Sequence, residues 1–187
     1  MATNEINETG TIVRDARTRY ATAQREENGA RGAFDAELQR SGLAPRSEVS
    51  VSRATAPADV AELLGTDGEV VVRDRQMFAG DRLVQLATTF IPVDVAEAAG
   101  IEQVDTGIGG IISRMKEAGF DQGDAATEDV ALRPATADEA ARLGLAEGSD
   151  VLTINHIGRA TADGRVVEVT QHVLAKGWTL QYSVPLA

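Results

Sequence analysis

No cysteine occurs in the 187 residues, which excludes disulfides and thiolate metal sites. Histidine is scarce too. With only His156 and His172, a metal centre built on imidazoles is not expected. No stretch approaches the roughly 20 apolar residues of a membrane-spanning helix. The opening MATNEINETG lacks the basic and apolar regions of a secretory signal. Neither a G-x-S-x-G nor a Walker sequence is present, so two common catalytic loops are missing. The expectation is a cytoplasmic protein with no cofactor, no metal and no membrane partner, long enough for one domain with a sizeable core.

Positive charge is also deficient, and unevenly so. Residues 1–46 carry seven Arg and seven Asp/Glu, whereas residues 47–187 carry eleven basic and twenty-two acidic residues, the whole of the net −11. Phosphate backbones are bound by neutralising them with Lys and Arg. The acidic part is therefore not expected to bind DNA by itself.

What is present is a pattern written twice. The stretch Glu69–Pro92 reads as two strands, three valines leading into Arg73-Asp74-Arg75 and a run from Leu83 to Phe90, joined at Ala79-Gly80-Asp81. The segments beginning at Arg53 and Arg133 align at Arg53/Arg133, Asp59/Glu139, Leu63/Leu143 and Gly68/Gly148. Each runs on into a hairpin, and in that alignment Gln85 falls opposite Glu168. Two helix-hairpin units sharing one sheet, with a cleft between them, are expected.

Along the chain, residues 1–28 show no period and read as an extended lead-in, with the domain proper at 29–187. Ala30, Phe34 and Leu38 recur at helical spacing up to Ser41-Gly42. Val49 and Val51 alternate with polar residues as in a strand. Pro57 opens a helix stopped near Gly65, and a short helix follows Pro92. A helix opening at Thr106–Ile112 is expected to bury Ile108, Ile111, Ile112 and Met115. Strands over Ala125–Arg133, Asp150–Arg159 and Val166–Leu174 flank a capping box at Thr136–Glu139, and Leu180–Val184 adds a short last strand. Short helices between hairpins predict an α+β fold with a mostly antiparallel sheet.

Strand parity groups the chemistry. Arg73 and Arg75 share one face, as do Gln85 and Thr89, and as do Glu168, Thr170 and His172. A solvated sheet face would produce the same alternation. Alternatively, the two arginines and the glycine-lined helix start at Gly109-Gly110 bind a phosphate or carboxylate, while Gln85 and Glu168 read hydroxyls or an amine. The glycines equally fit close packing against the sheet. Replacing Arg73 by alanine is expected to abolish the response to ligand without loss of fold. His156 reads as a packed or interface residue.

Several pieces in this order resemble the effector-binding UTRA domain of GntR-type transcriptional regulators of the HutC subfamily. They are Arg73-x-Arg75 after a valine strand, Thr88–Pro92, Gly109–Gly119, Glu128, Leu143–Gly148 and Gly164–Glu168. The resemblance covers residues 30–187 and implies a chorismate lyase-like fold, homodimerisation and a small anionic or polar metabolite as effector. It implies no enzymatic activity. Gly10–Val13 is similar to the end of the winged helix-turn-helix that precedes such domains, a domain missing here, so DNA would be reached only through it and the whole would act as a repressor. Departures include Gly110 and Ile112 where sugar-phosphate-binding members offer Ser and Tyr, and Lys176-Gly177-Trp178 after the last long strand. A chorismate lyase-like enzyme and a dimerisation domain with no ligand are the other readings.

Overall fold

The computed structural model describes residues 12–123, 126–182 and 184. Among the described residues, eight strands and six α-helices follow in the order β1 (Ile12–Asp15), α1 (Thr22–Arg25), α2 (Ala33–Arg40), β2 (Pro45–Thr55), α3 (Ala58–Leu64), β3 (Glu69–Ala79), β4 (Arg82–Pro92), α4 (Val93–Ala99), α5 (Gly110–Glu117), β5 (Thr127–Pro134), α6 (Ala137–Leu143), β6 (Asp150–Arg159), β7 (Val166–Leu174) and β8 (Trp178–Gln181). The fold is α+β. Its six-stranded sheet has the order β2-β3-β4-β7-β6-β5, every neighbour antiparallel.

That order is the repeat made visible. One strand-helix-hairpin unit is β2-α3-β3-β4, the other β5-α6-β6-β7, and they meet at the β4–β7 seam. The seam pairs Ala87 with His172 and Thr89 with Thr170, pairs that a twofold relation exchanges. Gln85 and Glu168 are equivalent under it and lie on the same face of the sheet. α3 and α6 end alike, on Gly65 and Gly144 in the left-handed region at φ 65° and 64°, where a glycine has no Cβ to clash. The capping box at Thr136 forms as its sequence dictates, with Glu139 returning to the Thr136 N–H.

One face of the sheet is closed by α3 and α6. Val60 and Leu64 pack on Val70, Phe90 and Val169, and Leu143 packs on Leu86, Val151 and Val173. The other face carries two separate apolar clusters. Val95, Ile101, Ile111 and Met115 cover Val71 and Ile91 at one end. Ile12, Phe34, Leu38 and Trp178 cover Met77 and Ala87 at the other. Between them the sheet is polar, and a cavity remains.

The structure differs from expectation in three places. Residues 12–28 hold a strand and a helix rather than an extended lead-in: β1 pairs in parallel with β8, and Ile12, Arg14, Arg19 and Arg25 are buried. The pattern was hidden because arginines, not apolar residues, fill the inward positions. Gly10 and Thr11, of the stretch likened to a winged-domain end, lie outside the described residues. Helix α5 starts at Gly110 rather than in Thr106–Ile108, which leaves Ile108 exposed. β5 is an edge strand, so Val130 and Leu132 remain exposed despite their strand alternation.

Candidate functional site

A cavity of about 440 Å³ lies over the β3-β4-β7-β6 surface, within the range of small-molecule sites. Arg73, Arg75, Gln85, Gly109, Gly110, Glu168, Thr170 and His172, the residues grouped from sequence, all border it. They are not a solvated face. α2, α5 and the segment from Ile12 to Arg25, a strap, cover this side of the sheet, and Gln85, Thr89, Glu168 and Thr170 are buried.

The two arginines are not equivalent. Arg73 donates to the carbonyl oxygens of Ile101 at 2.7 Å, Gln103 at 2.6 Å and Val104 at 3.0 Å. Its two terminal nitrogens pin the loop after α4, while its Nε–H has no partner among the described residues. Burial, then the neighbouring Arg75, lowers its pKa to about 10. Arg75 donates to the Thr89 hydroxyl, and its Nε–H has no partner among the described residues. Burial pulls the Arg75 pKa down, partly opposed by the charge of Glu168. Asp74 lies on the opposite face, bound to Thr88 and to Arg142 of α6, and takes no part in the site.

Gln85 sits at the centre of a buried relay. Its Oε1 accepts from Arg14 at 2.7 Å, and its Nε2 approaches Nδ1 of His172 at 3.1 Å and Sδ of Met77 at 2.9 Å. Across the seam, Thr89 and Thr170 hydroxyls lie 2.7 Å apart. Glu168 accepts from the Gln122 amide at 2.7 Å and approaches Nε2 of His156 at 3.4 Å. Burial alone would raise the Glu168 pKa; His156, Gln122 and Arg75 outweigh it and hold it below the usual carboxylate range. For His172, burial and the charges of Arg14, Arg19 and Arg75 act together and hold it well below 6.5.

Gly109 and Gly110 are explained by packing. A Cβ on Gly109 would lie 2.0 Å from Oγ of Ser113, and one on Gly110 would lie 2.7 Å from the Arg31 carbonyl oxygen. Both have positive φ, 79° and 66°. The close approach seats the start of α5 on the segment before α2, sealed by Gly109 N–H to Ala30 O at 2.9 Å and by Arg25 to Ser113 at 2.9 Å.

Three parts of the wall were not singled out from the sequence. Arg19 and Tyr20 enter from the strap, with Tyr20 donating to Glu128 at 3.0 Å and stacking on His156 at 4.4 Å between ring centroids. Burial, above all, pushes the Tyr20 hydroxyl well above 10, so it stays a donor. His156 is therefore a wall residue of the cavity. The third part is the first turn of α2, Gly32–Asp35, so two helix starts face the same space. Arg14 and Arg19 share the buried Glu37, at 3.2 and 3.3 Å. At the mouth, Arg31 and Asp105 meet at 2.8 Å. Among the described residues no cluster of three His, Asp or Glu side chains is arranged to hold a metal ion.

The α+β sheet thus buries arginines, a neutral histidine and a carboxylate around a partly open cavity. The UTRA domain model matches residues 40–176, and the chain belongs to that family. No curated protein matches it. PhnF from Mycobacterium smegmatis shares the fold at 16% identity and a TM-score of 0.74, over 95% of this chain and 73% of that one. The effector domain of the same protein matches at 17% identity and a TM-score of 0.70, over 84% and 96% of the two chains. A further GntR-family transcriptional regulator matches at 24% identity and a TM-score of 0.70, and the chain spans 66% of its length.

Proposed function

We propose that the chain is the effector-binding and dimerisation domain of a GntR-type repressor of the HutC subfamily, and that its effector is a small anionic metabolite held in the cavity. DNA would be contacted through a winged helix-turn-helix domain, two of which a homodimer would hold at the spacing of operator half-sites. The observation that carries this reading is the partly open cavity with Arg75 at its floor, a buried cation whose Nε–H has no partner among the described residues. A buried cation with an unsatisfied N–H is costly, and an anion removes that cost. Arg73, spent on loop carbonyls, supports the site from behind. The strap belongs to the same unit, so we place the functional domain from Ile12 onward rather than from residue 29.

A thermal-shift screen of anionic and neutral metabolites against the wild type and Arg75→Ala tests the proposal. Stabilisation of the wild type by some anion, absent in the variant, is the expected result. Stabilisers confined to neutral apolar compounds, or equally effective on both proteins, would overturn it.

A further inference from the structure

The six-stranded sheet has two edges, and they differ in kind. β2 forms one of them, starting at Pro45 and exposing Arg46, Glu48, Ser50 and Ser52. Charge and proline on an edge strand discourage pairing with another chain. The valines of β2 are used within the domain, since Val49 borders the cavity and Val51 packs on the cluster around Val71. β5 forms the other edge. There Leu132 is 73% exposed and Val130 50%. They end two rows that run off the sheet, Leu174-Leu152-Leu132 and His172-Ile154-Val130.

The free backbone of β5 has a fixed phase. The Thr153 hydroxyl donates to the Ala131 carbonyl oxygen at 3.3 Å, so that carbonyl faces β6. Backbone groups alternate along a strand, so the N–H and C=O of Val130 and Leu132 face outward. An antiparallel copy of the same strand meets them only where outward-facing residues stand opposite each other. Centred on Val130, such a pairing sets Leu132 against Glu128. Centred on Leu132, it sets Val130 against Pro134, which has no N–H to give. Centred on Ala131, it sets Val130 against the partner's Leu132, and on the opposite face Asp129 against the partner's Arg133. In that register alone apolar meets apolar and acid meets base. Asp129 is exposed, and Arg133 is already held in place by Glu139 at 2.6 and 2.7 Å.

We propose that two copies of this chain dimerise by antiparallel pairing of their β5 strands about a twofold axis at Ala131, joining two six-stranded sheets into one. The occupant is a second copy because the strand is complementary to itself, as an interface on a twofold axis must be. The inference rests on the dimerisation part of the proposed function and supplies its surface. Glu128, which accepts from Arg19 and Tyr20 of the strap, lies two residues from Val130 on the same strand. Interface and cavity wall therefore share β5.

Because the chain has no cysteine, a single introduced one reports the register. On the axis, position 131 faces its own copy at a non-hydrogen-bonded site, where Cα atoms lie about 4.5 Å apart and a disulfide closes. Ala131→Cys and Ser50→Cys, one on each edge, are oxidised with glutathione disulfide at equal protein concentration. Sedimentation gives the masses of the wild type and Leu132→Glu, and circular dichroism checks that the latter folds. The expected results are a dimeric wild type, a monomeric Leu132→Glu, and covalent dimer from Ala131→Cys about tenfold or more faster than from Ser50→Cys. A dimer that fails to cross-link at 131, or that survives in a folded Leu132→Glu, overturns the inference and leaves dimerisation to another surface. A wild type that stays monomeric at about 100 μM overturns both the inference and the dimerisation reading; the effector reading is decided separately by the metabolite screen. Should Leu132→Glu not fold, the two cysteine variants decide alone.

Discussion

Arg73 and Arg75 project from one strand face two residues apart, yet their surroundings give them different tasks. Arg73 satisfies three carbonyl oxygens of the loop at 101–104. Arg73→Ala therefore costs stability, about 2 kcal/mol, since it strands the buried Ile101 carbonyl and frees the loop beyond it; denaturant unfolding measures this, and an unchanged midpoint would return Arg73 to the role expected from its sequence. His172 allows a second check at this scale. Its folded-state pKa is depressed, so the unfolded chain takes up the proton first. The stability this neutral histidine contributes is complete above about 6.5 and is lost as pH falls below it, by at most about 1.4 kcal/mol per pH unit. His172→Gln should flatten the fall in melting temperature between neutral and mildly acid pH, relative to the wild type. An unchanged pH profile would mean that His172 is protonated in the folded state.

At the scale of the element, the hairpins were legible because alternation of valine with Arg73, Arg75, Gln85 and Glu168 follows the pleat of a strand. What alternation cannot disclose is the cover. A polar line beside an apolar line looks the same whether water or another layer lies above it. The strap was illegible for a related reason: Arg14 and Arg19 find their carboxylates on Glu37 and Glu128, the closest of them 18 residues away along the chain. Charge matched at that separation leaves no local signal. Glu37→Gln would leave two buried guanidiniums crowding a neutral amide and should destabilise the domain by about 3 kcal/mol, with faster hydrogen exchange in the strap. The glycine pair at the head of α5 had two readings, and the contacts favour packing. Gly110→Ala forces a Cβ against the Arg31 backbone at positive φ and should cost about 2 kcal/mol or more in a thermal melt. Near-wild-type stability would reopen the reading of those glycines as an anion cradle.

Across the whole molecule, the repeat sets both fold and site. Two strand-helix-hairpin units meet at β4 and β7, and their equivalent polar lines, Gln85–Thr89 and Glu168–His172, come side by side as one floor. The sequence duplication thus foretold which lines share a face. The same alignment set Gln85 opposite Glu168, an amide against a carboxylate; what it could not foretell is that the strap and helices α2 and α5 close over both. The net charge of −11 acts at this scale too. The chain alone should not retard duplex DNA even at about 50 mM salt, and salt-dependent retardation there would contradict the assignment of DNA contact to a separate domain. The central claim is that Arg75 holds the anionic group of an effector. Calorimetric titration of the metabolite found by screening into the wild type and Arg75→Ala tests it most directly. The account predicts affinity about a hundredfold weaker in a variant that still folds; equal affinities for the two proteins would contradict it.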